Sequence, residues 1–279
     1  MPVYEVLSLG AGVQSSTLLL LSCRGELPKL DAAIFADTKW EPQAVYQHLE
    51  WLEFQATAAG IPVYRVSAGD LRQDALTKWV QGVGGRFASI PLFVNSPSSG
   101  REGIIRRQCT KEYKVDPIER FIRRAVLGLA PRQRIPADVT VRQWMGISAD
   151  EARRVRASTQ RWQQFVYPFC GLPEPMLPKT YTRASCHAWL AEHYPERTIP
   201  RSACLGCPFH SDTEWQAMKD GPAEEWHDVV EFDRQIRRIH RLDSTCYLHR
   251  SLRPLAEVQF QDDTQFSLFG QECLGMCGV

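Results

Sequence analysis

The sequence lacks the long apolar segments and the charge imbalance that mark exported, membrane-bound or strongly basic proteins. The apolar run Leu18–Leu21 is far too short for a membrane span or a signal core. Lys and Arg number 33 against 32 Asp and Glu, so the net charge is only +1. These absences give no overall attraction to nucleic acid and no membrane partner. They lead us to expect a cytoplasmic protein.

The sequence also lacks both common phosphate-binding fingerprints, although it contains the parts of one. The stretch "SLGAGVQSS", Ser8–Ser16, follows a strand-like segment and precedes an apolar helical pattern. No lysine follows until Lys29, which excludes a Walker sequence, and Ser15 stands where a dinucleotide fingerprint needs a small residue. Gly10 and Gly12 would allow close backbone approach and positive φ angles, beside serine hydroxyls and a helix N-terminus. A phosphate cradle is predicted, the alternative being a tight turn that binds nothing.

Nine cysteines without an export signal favour metal or redox chemistry over a disulfide framework. Cys204 and Cys207 form a CxxC pair in "CLGCP", and Cys109 lies upstream among basic residues that would stabilise a thiolate. No second CxxC and no histidine pair complete a zinc finger, so a redox dithiol, zinc and iron–sulfur all stay open. Four of the remaining cysteines are expected to be packed thiols: Cys23, Cys170, Cys186 and Cys246. The other two, Cys273 and Cys277, lie in a glycine-rich tail.

Strand-like and helix-like segments alternate through the first third of the chain, which predicts an α/β, Rossmann-like parallel sheet of about five strands flanked by helices. Asp37 and Thr38 would lie at the carboxyl edge of this sheet, where open α/β folds bind ligands. A short strand is expected in "ASIPLFV" and a helix in "ADEARRVRAS". We predict a nucleotide-binding domain over 1–210 and a helical extension with its cysteine tail over 211–279, packed on the sheet's carboxyl edge.

Several of these segments resemble the PP-loop ATP pyrophosphatase superfamily, in its iron–sulfur branch similar to phosphoadenylyl-sulfate (PAPS) reductase. "GAGVQS" aligns with the family's Ser-Gly-Gly-x-Asp-Ser loop, and Asp37-Thr38-Lys39 matches its Asp-Thr-Gly. "GISADEARR" is similar to its glycine-rich strand end with an acidic residue and an arginine beyond. Glu272-Cys273 matches part of the reductases' Glu-Cys-Gly tail. The resemblance spans most of the chain, from Ser8 to Cys277.

The resemblance implies an ATP-dependent sulfurtransferase that adenylates its acceptor. It would bind ATP with Mg²⁺ through the loop and the second strand end, hold a 4Fe–4S cluster on three cysteines, and use the tail cysteines catalytically. The implied residues are, for the nucleotide, Ser8, Gly10, Ala11, Gly12, Gln14, Ser15, Ser16, Asp37 and Thr38; for the cluster, Cys109, Cys204 and Cys207; for catalysis, Cys273 and Cys277.

The sequence departs from the family pattern at four positions. Gln14 stands where the loop usually carries Asp, and Lys39 replaces a glycine. Ser148 stands where the reductases have an arginine, and Thr110 follows Cys109 where they have paired cysteines. The last two departures disfavour a sulfonucleotide reductase, which remains one alternative. A nucleotide-binding regulator or defence protein with structural zinc is the other.

The distribution of charge bears on the partners. From Arg101 to Arg156 the sequence has fourteen Lys and Arg and seven Asp and Glu. From Ser211 onward it has seven Lys and Arg and thirteen Asp and Glu. A basic middle suggests an anionic partner, with solvated helix faces as the alternative. The expected partners are ATP, a sulfur donor of unassigned identity, tRNA or another nucleic acid as acceptor, and a second copy of the chain in a homodimer.

Overall fold

The computed structural model describes residues 2–83, 90–96, 100, 102–239 and 242–260. The strands in this part of the chain are, in order, β1 (Val3–Leu9), β2 (Ala32–Ala36), β3 (Val63–Val66), β4 (Phe93–Asn95), β5 (Glu102–Ile104), β6 (Thr140–Trp144), β7 (Gln163–Val166) and β8 (Thr245–Tyr247). Five of them form a wholly parallel sheet in the order β3-β2-β1-β6-β7. The predicted α/β fold with a five-stranded parallel sheet is confirmed, and β1 is its central strand.

The α-helices of the described residues flank this sheet and continue beyond it. They are α1 (Val13–Cys23), α2 (Gln43–Ala58), α3 (Leu71–Asp74), α4 (Asp116–Phe121), α5 (Arg183–His193), α6 (Asp212–Asp220) and α7 (Ala223–Gln235). Wider π-type turns precede and follow α4, at Lys111–Val115 and Ile122–Val126, so that 111–126 runs as one helical segment. Among these helices, none has the length and apolar character needed to cross a bilayer.

Both faces of the sheet are covered, which explains why β2 is a continuous apolar run. On one face α1, α2 and α5 share a core with Leu7, Phe35 and Trp144. On the other face Ile118 and Ile122 of the 111–126 segment pack on Val6, Ile34 and Val141. Helix α1 is buried from Val13 to Ser22, because α2 and α5 cover it on the side away from the sheet. The glycine turn therefore lies between the central strand and the most buried helix.

The short strand expected in "ASIPLFV" is present as β4, which pairs antiparallel with β5 and β8 in a separate sheet. The fifth strand of the parallel sheet is β7, which was not predicted. Two other local predictions were wrong. "ADEARRVRAS" forms only tight 3-10 turns over Ala149–Arg154, and the chain is extended from Val155. The extension from residue 211 is not purely helical, since it contains β8.

A second hydrophobic core joins the extension to the rest of the protein. Trp215, Val229 and Phe232 of the extension are buried together with Trp40 and Leu71, which follow β2 and β3. The Trp40 and Phe232 rings meet edge to face with centroids 4.5 Å apart. The Trp40 indole also donates a hydrogen bond to Asp228 of α7, 2.8 Å long. The extension thus packs against the carboxyl end of β2.

Candidate nucleotide and cysteine site

The glycine turn lies at the carboxyl end of β1, between Leu9 and the start of α1. Ser15 closes the turn on itself: its hydroxyl accepts a bond from the Gly10 N–H (3.1 Å) and donates to the Gly12 carbonyl (3.3 Å). Gly146, just beyond β6, packs so closely that an added Cβ would lie 3.0 Å from the Ser15 nitrogen. Gly12 caps α1 without any side-chain hydrogen bond. The first amides of α1 are therefore not capped by a side chain, as an anion site at a helix start requires.

The backbone of the turn differs from the prediction at one point. The residue with a positive φ is Ala11, at 56°, while Gly12 has a φ of −100° and Gly10 is not in the left-handed region either. The glycines are needed here for space, because Ser202 lies directly against both of them. A Cβ added to Gly10 would lie 3.1 Å from Ser202 Oγ, and one added to Gly12 would lie 3.0 Å from Ser202 Cβ.

Ser202 connects the glycine turn to the cysteine segment. Its hydroxyl donates a hydrogen bond to the Gly10 carbonyl, and Ser202 is almost completely buried. A small cleft beside this contact is lined by Ser8, Gly10, Phe35, Lys114, Ile118 and Ser202, among others. Sequence analysis missed Ser202, because 192 residues separate it from Gly10 and no local pattern marks it. Cys204 follows it by two residues, so the two predicted sites are physically continuous.

Gln14, the third residue from the end of the "GAGVQSS" stretch, faces a carboxylate from another loop. Its amide nitrogen donates to Glu151 Oε2 at 3.0 Å and lies 3.4 Å from the Ser148 hydroxyl. Gln14 is fully buried, and its amide oxygen has no hydrogen-bond partner among the described residues. Arg154 binds the other oxygen of Glu151 at 2.7 Å. The loop therefore has a carboxylate beside it after all, contributed by the turns that follow β6.

Ser16 is engaged on the far side of the turn. Its buried hydroxyl lies 2.9 Å from His48 Nε2 of α2, and the His48 ring stacks on Trp51. Burial lowers the pKa of His48 to about 4, with a further contribution from the positive charge of Arg197. The hydroxyl predicted to face a phosphate is thus hydrogen-bonded to a neutral imidazole in the core.

Asp37 and Thr38 lie at the carboxyl end of β2 but face different neighbours. Asp37 accepts hydrogen bonds from the Lys39 backbone N–H (2.7 Å) and the Tyr46 hydroxyl (2.8 Å), and it pairs with the Lys39 ammonium at 2.7 Å. Burial alone would raise the pKa of Asp37, but these donors outweigh it and hold the pKa below its usual value. Lys39 has a φ of 62°, a left-handed conformation that glycine adopts more readily than lysine.

Thr38 belongs to the cysteine site. Its hydroxyl donates to Glu41 Oε1 at 2.9 Å and lies 3.3 Å from Cys204 Sγ, and Cys204 Sγ is 3.4 Å from the same carboxylate oxygen. The ammonium of buried Lys114 is 3.5 Å from Glu41. Lys114 lines both the cleft beside the glycine turn and the cavity of the cysteines. Glu41 and Lys114 are site residues that the sequence analysis did not single out.

The three cysteines predicted to bind metal line one cavity. Cys109 lies two residues before the 111–126 segment, and Cys204 and Cys207 lie in the CLGC loop. Arg107 and Lys114 supply positive charge at the cavity wall. The cavity is small, about 20 Å³, which is room for roughly one water. Nowhere in the described ranges do three His, Cys, Asp or Glu side chains form a group that could ligate a single ion.

Trp40 fixes the CLGC loop in place. The Leu205 N–H donates to the Trp40 carbonyl at 2.9 Å, and the Gly206 backbone lies against the indole ring. A Cβ at Gly206 would come within 1.9 Å of Trp40 Cη2, so only glycine fits there. On the other side of the loop, His210 Nε2 lies 3.0 Å from the Cys204 carbonyl oxygen.

The other cysteines behave as packed thiols where they are described. Burial raises the pKa of Cys23 to about 11, and the pKa values of Cys186 and Cys246 to about 12; Cys170 shifts in the same direction. The tail residues predicted to be catalytic, Cys273 and Cys277, lie outside the described residues.

Comparison with known proteins assigns no family to the chain. No family model matches it, and no curated protein matches it significantly.

Proposed function

We propose that the protein is an ATP-dependent, adenylating sulfurtransferase whose nucleotide site is the glycine turn. The observation that carries the proposal is the direct contact between this turn and the cysteine segment, through Ser202 and Gly10. A phosphate site and a thiol site on adjacent loops are what a reaction needs when it activates an acceptor and then delivers sulfur to it. The resemblance to the PP-loop superfamily supports the same conclusion.

The phosphates of ATP would bind at the amides of Gly12 and the first turn of α1. Because Ser202 fills the space over the two glycines, phosphate binding requires residues 200–203 to shift. That shift would also move Cys204, which couples occupancy of the nucleotide site to the geometry of the cysteines. Glu151, beside the loop, and the Gln14 amide oxygen, within it, are the groups that would hold Mg²⁺.

The cysteine cavity fits an iron–sulfur cluster by its donor set. Three thiol side chains and two cationic ones line this cavity, and thiolates beside positive charge are suited to a negatively charged cluster. Cys109, Cys204 and Cys207 would hold the cluster, and its volume would require them to spread outward from their present positions. A cluster held by these three cysteines would supply one iron that they do not ligate, open to a sulfur species.

The reaction would proceed in two balanced displacements. An oxygen of the acceptor attacks the α-phosphorus of ATP; a new O–P bond forms, and pyrophosphate leaves. Hydrosulfide, or a sulfur carrier equivalent to it, then attacks the activated carbon; a C–S bond forms, the C–O bond breaks, and AMP departs with the former acceptor oxygen. The chain contributes charge at the α-phosphate through Lys114 and the α1 amides, which lowers the barrier by positioning and electrostatics. A carbonyl-bearing base of tRNA suits this chemistry as acceptor.

The experiment that tests the proposal uses protein prepared without oxygen, with iron and acid-labile sulfide quantified. We expect both elements to be present, and we expect the protein to release pyrophosphate and AMP from ATP when tRNA and sulfide are supplied. Sulfite formation from adenylyl sulfate and a thiol, without pyrophosphate release, would identify a reductase instead. A protein that contains zinc and leaves ATP intact would support the regulator.

A further inference from the structure

A second cavity lies at the carboxyl ends of β6 and β7. Its volume is about 220 Å³, and it shares no lining residue with the cysteine cavity or with the cleft at the glycine turn. The 111–126 segment separates them: Val115 and Glu119 face the second cavity, while Lys114 and Ile118 face the cleft. The proposed reaction leaves this cavity without a role.

One side of the cavity is apolar and aromatic. Met145 and Ile147 continue from β6, Phe165 belongs to β7 and Tyr167 follows it. Tyr167 is almost completely buried, and its hydroxyl donates to the Arg156 carbonyl at 2.7 Å. This bond fastens the 156–160 loop across the cavity, so that the walls are formed before any ligand binds.

Another part of the lining carries a chain of hydrogen bonds that leads to Ser8 of β1, just before the glycine turn. The Ser158 hydroxyl donates to Gln163 (2.6 Å), the Gln163 amide donates to Gln143 (2.5 Å), and the Gln143 amide donates to the Ser8 hydroxyl (2.6 Å). Gln143 is fully buried and Gln163 nearly so. A buried amide is costly unless it is hydrogen-bonded, and here each amide is held in one orientation. Gln163 therefore lines the cavity with an amide held in one orientation by Ser158, Gln143 and the carboxyl group of Glu119, which lines the cavity beside it.

The rim of the cavity is cationic. Arg156 is exposed at its edge and makes no ion pair within the described part of the chain. Lys111 also lines the rim with its side chain 66% exposed, although its ammonium is paired with Asp116 at 2.7 Å. Arg154, a third cation of the lining, is held by Glu151. Arg156 is thus the group best placed to receive an anion from solvent.

We infer that this cavity binds a nucleotide, with the base between the aromatic wall and Gln163 and the phosphate at Arg156. Stacking on aromatic rings together with amide and carboxyl contacts to base edges is how proteins recognise exposed bases. Arginine at the rim suits a phosphate because its guanidinium donates two parallel hydrogen bonds. The nucleotide is either free or one unit of a single-stranded RNA chain. The inference does not depend on sulfur transfer.

The test uses the full chain carrying Gly12→Val, which blocks the glycine turn. Calorimetry measures binding of each ribonucleoside 5′-monophosphate and of a short single-stranded RNA of mixed sequence. Arg156→Ala is added to remove the rim cation, and Arg161→Ala is the matched control, since Arg161 is an exposed arginine nearby that does not line the cavity. We expect Arg156→Ala to weaken binding about tenfold, as befits one charge-assisted contact, and Arg161→Ala to leave it unchanged.

Each outcome decides the inference. Binding of a monophosphate that depends on Arg156 supports it and shows that a free nucleotide suffices. Binding of RNA alone, with the same dependence, supports it and assigns the nucleotide to an RNA chain. Absence of binding by both probes overturns it, as does equal weakening by Arg156→Ala and Arg161→Ala. Ala157→Trp, which adds bulk at the cavity wall, should abolish binding while circular dichroism stays unchanged; retained binding in that variant also contradicts the site.

Discussion

Gly12 is the residue at which a side chain would interfere most directly with the proposed phosphate site. Gly12→Val places a branched side chain where the phosphate would lie and against Ser202 Cβ, 3.0 Å from an added Cβ. We expect calorimetry to show no ATP binding while the fold is retained. Gly103→Val in β5 is the control, because its Cβ would meet only Val94 at an ordinary 3.7 Å. ATP affinity equal in the two variants would count against the glycine turn as the nucleotide site.

At the scale of the residue, the titration of buried His48 makes the free energy of unfolding depend on pH. Its pKa is lowered from 6.5 to about 4 in the fold, so the native state holds it neutral while the unfolded chain binds a proton below pH 6.5. The contribution of neutral His48 to the free energy of unfolding is complete above pH 6.5. It decreases by roughly 3 kcal/mol as the pH falls from 6.5 towards 4.

Denaturant unfolding at several pH values checks the His48 prediction. His48→Gln keeps a hydrogen-bonding group for Ser16 but cannot titrate, and its stability should fall less between pH 6.5 and 4. If the variant and the native protein show the same slope over that interval, His48 is not the group responsible.

At the scale of the element, the CLGC loop depends on its packing against Trp40. Gly206→Ala would drive a methyl group into the indole ring, 1.9 Å from Cη2, and we expect a loss of about 1–3 kcal/mol because neither backbone nor ring can easily yield. The displaced loop should also hold less iron. Gly103→Ala is the control for stability, measured by thermal unfolding. Unchanged iron content in Gly206→Ala would mean that the loop's position is not needed for the metal.

The three cysteines of the cavity form the second test at this scale. Cys109→Ser, Cys204→Ser and Cys207→Ser should each lower iron content, because each removes a thiolate from the proposed cluster. Cys170→Ser, a half-buried thiol elsewhere, should keep full iron. Retention of full iron in all three cavity variants would overturn the cluster assignment.

A chain ending at Phe269 tests the tail: if it keeps both iron and turnover, Cys273 and Cys277 have no chemical role.

For the whole molecule, the shared core predicts that the chain cannot be divided at residue 210. Phe232 and Val229 are completely buried in the same core as Trp40, and β8 pairs with β4 across the proposed boundary. A chain ending at residue 210 would expose this core, and we expect it to lose cooperative thermal unfolding. A chain ending at residue 260 retains these contacts and is the control. Cooperative unfolding of the shorter chain would establish an independent domain over 1–210.

Local pattern was sufficient for the parallel sheet and for the position of the glycine turn. Alternation of apolar strands with amphipathic helices has few packing solutions, and β1, α1, β2, α2 and β3 all lie where that alternation predicts. The strand β7 was missed because "QQFV" is short and carries two glutamines. The Gln163 amide is satisfied by partners outside the strand, Gln143 and Ser158.

The sequence by itself determined which residue types are present for chemistry: glycines and serines after β1, an acidic group after β2, and a CxxC pair with a distant cysteine. Only the tertiary structure decided that Cys109, Cys204 and Cys207 line one cavity, that Ser202 covers the glycines, and that Glu151 stands beside Gln14. The physical reason is that these contacts join residues more than ninety positions apart. Periodicity and spacing report on neighbours along the chain, whereas such contacts are set by how the sheet brings the carboxyl ends of β1, β2 and β6 to one edge.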